Sequence, residues 1–200
     1  MDLLVYERWL WQKGFQLVAG IDEAGRGTLI ASVVASAVIL PGGLVVEGIN
    51  DSKLLNAKKR EYYYQIILEK AIAIGIGRVD RDIIERINIK QAARLAMKLA
   101  VRSLKIAPDF LLVDAENVEF PIPQISIIKG DSLSQSVAAA SIVAKVTRDR
   151  LCRQWDQMYP QYGIGKHKGY STKEHREAIL KYGPCPLHRR TFLRKMSGGK

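Results

Sequence analysis

The sequence predicts an α/β fold in one domain of 200 residues. Two short runs, 110–113 and 124–129, have the unbroken apolar form of strands buried on both faces, as in parallel sheets. Ahead of them, 15–23, 28–40 and 71–79 read as a three-strand meander, the first pair antiparallel because the turn joining them is short. Helical spacing over 80–105 and 134–158 lies between or after these runs. A chain of this length buries roughly 70% of the surface it exposes when unfolded, enough for its own core. At 48% hydrophobic and 26% charged residues, disorder and coiled coil are excluded.

In order along the chain, 1–14 mixes Asp2, Glu7 and Arg8 with apolar residues. It reads as a short amphipathic helix and lacks the basic start and uninterrupted apolar centre of a signal peptide. Leu17, Val18, Ala19 and Ile21 give the first strand, Gly25-Arg26-Gly27 the turn, and Pro41-Gly42-Gly43 the end of the second strand. The longest apolar run, 29–40, is too short to span a bilayer. Asn50-Asp51-Ser52-Lys53 is a polar loop before a helix capped near Asn56. Tyr62, Tyr63 and Tyr64 fall in that helix, where consecutive residues cannot share a face, so they are packing residues and not a base-stacking platform. From 80 to 105, Ile83, Ile84, Ile87, Leu95, Leu99 and Leu104 keep helical spacing until Pro108. From 134 to 158, the small residues Ala138, Ala139, Ala140, Ser141 and Ala144 allow close packing, and Tyr159-Pro160 stops the helix. A short helix near 172–181 and a proline-rich loop at 183–186 follow.

The net charge is +11, with a pI near 9.7, which points to a polyanionic partner. The excess is localised: from 145 to 200 there are 14 Lys and Arg against 4 Asp and Glu. Cys152 and Cys185 form no CxxC or His-Cys metal spacing and read as free thiols in a reducing compartment, so a cytoplasmic chain with no membrane partner is expected. His167, His175 and His188 lack a ligand pattern and read as surface or supporting residues.

Chemistry is carried by acids at strand ends. In an open sheet with helical crossovers, ligands collect at the carboxyl ends of strands. Here three apolar runs end in acids: Asp22 with Glu23, Asp114, and Asp131. Side by side, four carboxylates could not all stay ionised without cations between them. Mg²⁺ or Mn²⁺ prefers oxygen ligands, and two such ions roughly 3.5–4 Å apart support phosphodiester hydrolysis. Each acid also has a plainer reading: Asp131 as a helix cap, Asp114 in competition with Glu116 on the same strand face, and Asp22 and Glu23 on opposite faces unless the strand bulges or ends at Ala24-Gly25.

Several ordered motifs together are similar to one family. Gly20-Ile21-Asp22-Glu23-Ala24-Gly25-Arg26-Gly27, Asn50-Asp51-Ser52-Lys53, Val113-Asp114, Lys129-Gly130-Asp131, the 138–145 stretch and His167-Lys168-Gly169-Tyr170 resemble bacterial type 2 ribonuclease H, ribonuclease HII, from about Phe15 onward. The resemblance implies a ribonuclease H-like fold: a mixed five-stranded sheet flanked by helices, with a C-terminal helical segment. The expected organisation is a helical segment 1–15, a catalytic core 16–155, and a basic segment 156–200 packed on it. The implied activity is endonucleolytic cleavage of the RNA strand of RNA–DNA hybrids. It includes incision 5′ of a single ribonucleotide in duplex DNA, leaving 5′-phosphate and 3′-hydroxyl ends.

By the same resemblance, Asp22, Glu23, Asp114 and Asp131 match the metal-binding acids, with two divalent ions in the substrate complex. Gly25, Arg26 and Gly27 match a motif whose backbone reads the ribose 2′-hydroxyl. Tyr170 matches the tyrosine that packs on the deoxyribose after the ribonucleotide. Asn50, Ser52, Lys53, Lys145 and Arg148 match phosphate contacts. The chain departs from the family at Thr28, Ala31 and Ser32, where a proline and then a Gly-Pro pair are usual. It departs also at Ala115, where glycine is common, and at Ser171. Asp131 and the short N-terminus favour ribonuclease HII over ribonuclease HIII. A monomer is expected, and no sliding-clamp motif is evident. The readings to be distinguished from a nuclease of this type are a non-catalytic hybrid-binding module and another nuclease of the same fold, such as a junction resolvase.

Overall fold

The computed structural model describes residues 2–49, 52 and 55–196, with side chains through Arg194. Its centre is a five-stranded sheet in the order β3-β2-β1-β4-β5, formed by β1 (Val18–Ala24), β2 (Val33–Ile39), β3 (Ala73–Val79), β4 (Phe110–Asp114) and β5 (Gln124–Ile127). The first three strands are an antiparallel meander, while β4 pairs parallel to β1 and β5 parallel to β4. The expected mixed sheet is present. Helix α3 (Arg81–Arg102) covers one face; α2 (Ala57–Lys70) and α4 (Gln135–Met158) cover the other. With both faces covered, β2 is buried along its whole length, which accounts for its continuous apolar run.

Small residues set the layer spacing. A Cβ on Gly77 would lie 2.0 Å from the Ala96 carbonyl oxygen, and one on Gly20 would lie 2.0 Å from the Ser136 carbonyl carbon. Glycine at these positions lets α3 and α4 sit directly on the sheet. The N-terminal helix α1 (Val5–Gln12) is fastened to the start of α4 by Glu7, whose buried carboxylate accepts from Ser134 Oγ (2.6 Å) and the Ser136 amide (2.9 Å). A carboxylate at that end is favoured by the helix dipole.

Three boundaries differ from expectation. The first strand begins at Val18 because the amides of Gln16 and Leu17 donate to Asp109 Oδ2 instead of a ladder. The second begins at Val33, since Ala31 takes φ +56, outside strand geometry. Helix α3 is interrupted at Asn88 (φ 66, ψ 165), whose Oδ1 accepts from the amides of Lys90 and Gln91 and restarts the helix as a cap. Asn56 caps α2 as expected.

Beyond α4 come α5 (Ile164–His167), α6 (Lys173–Tyr182) and α7 (Arg190–Met196). They pack with Cys152 and Trp155 around Leu29, Ile30 and Ala31, and Ile30 forms a single β-bridge with His188. The basic segment is thus wrapped around the loop that follows the glycine-arginine-glycine turn. Among the described residues, no helix is long and apolar enough to cross a membrane.

Candidate active site

Strands β1 and β4 are parallel neighbours, so their C-terminal ends lie together, carrying Asp22 and Glu23 on one and Asp114 on the other. Asp131 sits in a single 3₁₀ turn, Gly130–Ser132, just after β5. The Gly130 amide donates to Asp114 Oδ1 (2.7 Å), which holds that turn against the end of β4. Asp22 and Asp131 are both buried. Asp22 Oδ1 accepts from the Glu23 amide (2.6 Å), and the carboxylate also bonds with Ser141 of α4. Ser141 Oγ in turn lies 2.8 Å from Ser52 Oγ.

These acids repel one another. Burial, then the charges of Glu23 and Asp114, push the Asp22 pKa well above the ordinary carboxylate range. Burial also raises Glu23; Arg26 opposes it and Asp114 adds to it. Glu116 is different. Burial would raise its pKa, but hydrogen bonds from Arg94 and Arg26 hold it below the usual range. Its two oxygens meet Arg26 and Arg94 at 2.9 Å each. The competition between Asp114 and Glu116 is thereby resolved in favour of Asp114 as the carboxylate at the cleft. The Arg26 side chain is turned toward Glu116 and, at 3.5 Å, Glu23.

A cleft of about 200 Å³ opens over this point, lined by Asp22, Glu23, Asp114, residues 24–27, Ser52, Ser141, Lys145 and Tyr170. A larger recess of about 640 Å³ lies along α3 beside Arg94, Lys98 and Val118, away from the strand-end acids. The cleft acids suit a hard divalent cation: all are oxygen donors, Asp22 is buried with Glu23 and Asp114 half-buried beside it, and the repulsion felt by Asp22 and Glu23 is what such an ion relieves. Among the described residues, no three Asp, Glu, His or Cys side chains stand close enough to hold an ion by themselves.

The glycine-arginine-glycine turn is fixed from beneath by two buried guanidiniums. Gly25 has φ +94, and a Cβ there would lie 2.0 Å from Arg148 Nε. Gly27 is the opposite case: a Cβ would meet nothing within 4 Å. Arg148, expected at a phosphate, is 1% exposed. It donates to the carbonyls of Ser32 (3.3 Å) and Lys168 (2.9 Å) and to Thr28 Oγ1 (2.9 Å), so its role is internal, a correction to the sequence reading. Arg189, which sequence reasoning missed, donates to the carbonyls of Ala31, Arg26, Thr28 and Gly25 at 2.8–3.1 Å. Burial, and then the nearby Arg148, bring its pKa down to about 9, so it remains charged at neutral pH.

Three of the departures from the family pattern, Thr28, Ala31 and Ala115, have a definite place in the structure. Thr28 is buried, and its hydroxyl donates to the carbonyls of Gly25 (3.0 Å) or Ile30 (3.1 Å) while accepting from Arg148. Ala31 and Ala115, both at positions where glycine is usual, take φ +56 and +48, in the left-handed region that disfavours a side chain.

Of the remaining expected residues, Tyr170 is 45% exposed at the cleft. Lys145 lines the wall and is paired with Asp149; burial lowers its pKa against that pairing. Ser52 lies behind Asp22, through Ser141. Asn50 and Lys53 lie outside the described residues. The three histidines are buried together and not at the surface.

Comparison with known proteins is consistent across sequence and structure. A family model described as ribonuclease HII matches residues 19–195. A ribonuclease HII from Alkaliphilus metalliredigens is 56% identical over 98% of this chain and 99% of its own. The solved ribonuclease H2 of Pyrococcus horikoshii superposes with a TM-score of 0.75 at 27% identity, covering 90% of this chain and 96% of that one. A Bst ribonuclease HIII solved in complex with Mn²⁺ matches the fold at 18% identity and TM-score 0.61, over 83% and 70% of the two chains.

Proposed function

The chain belongs to the ribonuclease HII family, whose members are metal-dependent endoribonucleases, and from that premise we propose that it hydrolyses the RNA strand of RNA–DNA hybrids and incises 5′ of single ribonucleotides embedded in duplex DNA. The observation that carries this reading is the set Asp22, Glu23 and Asp114 in one cleft with residues 24–27, the pKa values of Asp22 and Glu23 raised by burial and by neighbouring acids.

In this proposal Asp22, Glu23, Asp114 and Asp131 hold two divalent ions, Mg²⁺ or Mn²⁺. When bound, such ions activate water and stabilise the leaving oxygen, giving 5′-phosphate and 3′-hydroxyl ends. The residues around them select the substrate. Gly25 and Gly27 present backbone to the ribose, and the open space over Gly27 leaves room for a sugar where a side chain would stand. A 2′-hydroxyl both donates and accepts hydrogen bonds, so a rigid backbone turn can tell RNA from DNA. Arg148 and Arg189 keep that turn in shape from inside. Tyr170 packs on the following deoxyribose, and Lys145 and Ser52 face the phosphates, with Asn50 and Lys53 assigned there by resemblance alone.

The test is strand scission in Mg²⁺ or Mn²⁺ on three duplexes: one with a single ribonucleotide, one continuous hybrid and one all-DNA. Cleavage of the first two with the third left intact is expected. No scission of any duplex at any metal concentration would sink the reading, and equal cutting of the all-DNA duplex would remove 2′-hydroxyl recognition from it.

A further inference from the structure

His167, His175 and His188 are buried behind the loop that carries Tyr170. Their hydrogen-bond partners fix which nitrogen of each ring bears the hydrogen. A carbonyl can only accept, so His175 Nδ1, 2.9 Å from the Tyr170 carbonyl oxygen, is protonated. An amide can only donate, so His188 Nδ1, 3.0 Å from the Cys185 amide, is bare. The two Nε2 atoms are 3.2 Å apart, and in neutral rings the His188 Nε2–H then donates to His175 Nε2. The result is a directional chain from the Cys185 amide through His188 and His175 to the Tyr170 carbonyl. His167 stacks on His175 with ring centroids 4.3 Å apart. Its own backbone carbonyl accepts from the Tyr170 amide at 3.0 Å.

Both faces of the Tyr170 backbone are therefore held by histidines, while the phenol ring is left exposed at the cleft. We propose that His175 and His188 are positioning residues: a neutral imidazole relay that aims Tyr170 and sets the preference for RNA–DNA junctions over continuous hybrids, without touching nucleic acid. This rests on Tyr170 packing against the deoxyribose, as in the proposed function. Burial lowers both histidines to a pKa of about 4, which keeps the rings neutral at physiological pH.

Two measurements test it. Long-range ¹H–¹⁵N spectra of the histidine-labelled protein at neutral pH should show His175 protonated at Nδ1 and His188 at Nε2. An Nε2-protonated or charged His175 overturns the relay. Kinetically, His175→Phe keeps an aromatic ring but loses the donor. It should reduce kcat/KM on the single-ribonucleotide duplex about tenfold relative to the continuous hybrid. His175→Asn, which restores a donor at the same reach, should recover most of that ratio. Equal loss on both substrates, or an unchanged ratio, overturns the positioning role even while the wild-type enzyme cuts both. Loss of the functional reading itself shows instead as a wild-type protein that cuts neither. If His175→Phe fails to fold, the tautomers in the wild-type protein still decide.

Discussion

Two clusters of buried charge lie on either side of the 25–27 turn, and they differ in how that charge is compensated. On one side, Arg148 and Arg189 point their guanidinium donors at carbonyls and one hydroxyl. On the other, burial and then the neighbouring acids Glu23 and Asp114 hold the Asp22 pKa well above its ordinary value, and burial with Asp114 raises Glu23 against the pull of Arg26. A buried ion that is fully hydrogen-bonded within the chain stabilises the local structure, whereas like charges buried together disfavour the metal-free fold. The first pattern marks a structural brace. The second is the pattern expected of a site that an outside cation completes, as in the function proposed above.

Substitutions should separate the two clusters by the sign of their effect on stability. Asp22→Asn or Asp131→Asn should lower turnover by more than about a thousandfold, as removal of members of a catalytic unit does. Asp22→Asn should at the same time raise the melting temperature of the protein in chelator, by relief of repulsion worth about 1 kcal/mol. Cleavage and thermal unfolding assays read both, and undiminished activity of Asp131→Asn would remove that residue from the metal site; the cap of α4, which the sequence offered to Asp131, is supplied by Ser134, whose Oγ accepts from the Val137 amide. Arg189→Met should move stability the other way. Stranding carbonyls of residues 25–31 should cost about 3 kcal/mol or more by urea unfolding.

Acid gives a third contrast. His175 and His188 titrate near pH 4 in the folded protein against an unfolded value of 6.5. The unfolded chain therefore takes up their protons first, and their contribution, present above pH 6.5, is lost as pH falls from 6.5 through 4. Asp22 and Glu23, with raised folded pKa values, act in the opposite sense, favouring the fold as they gain protons. A smaller loss of stability over that interval in His175→Asn than in wild type is expected from pH-dependent melting. The smallest effects belong to Ala31→Gly and Ala115→Gly. Each should gain about 1 kcal/mol in melting experiments by removing a side chain from a left-handed conformation; a loss at either would show that the unfolded chain gains more freedom than the strain is worth.

The acid cluster was legible in the sequence because its signal is local: apolar runs that stop at Asp22, Asp114 and Asp131 read as strand ends. The brace was not. Arg148 and Arg189 lie in a segment whose lysines and arginines all look like solvated charge, and only the fold brings carbonyls of residues 25–32 around them. The same non-local bonds explain why 28–32 is a loop despite its apolar composition: the carbonyls of Thr28 and Ala31 accept from the Arg189 guanidinium and that of Ser32 from Arg148, leaving a single bridge to His188 in place of a ladder. The histidines were read as surface or supporting residues, and their burial came from α6 and the 183–189 loop closing over them, which residue spacing does not encode. The parallel pairing of β4 was visible in its unbroken apolar form, whereas β5, Gln-Ile-Ser-Ile, is a half-exposed edge strand and not one buried on both faces, and the short α5 and α7 left too little periodic pattern to see.

Arg189 and Gly25 are 164 positions apart, yet one bond of 2.8 Å joins them. The meander can assemble from neighbours in the chain, but the turn beside Asp22 takes its final shape only when residues from the far end arrive. Closing so large a loop is entropically slow and comes late in folding. Maturation of the enzyme is therefore expected in two stages, a sheet that forms early and a glycine-arginine-glycine turn that sets afterwards. In refolding experiments, cleavage activity should return after the circular dichroism of the core. A nascent chain still held at its C-terminal end would have its acids in place and no working turn beside them.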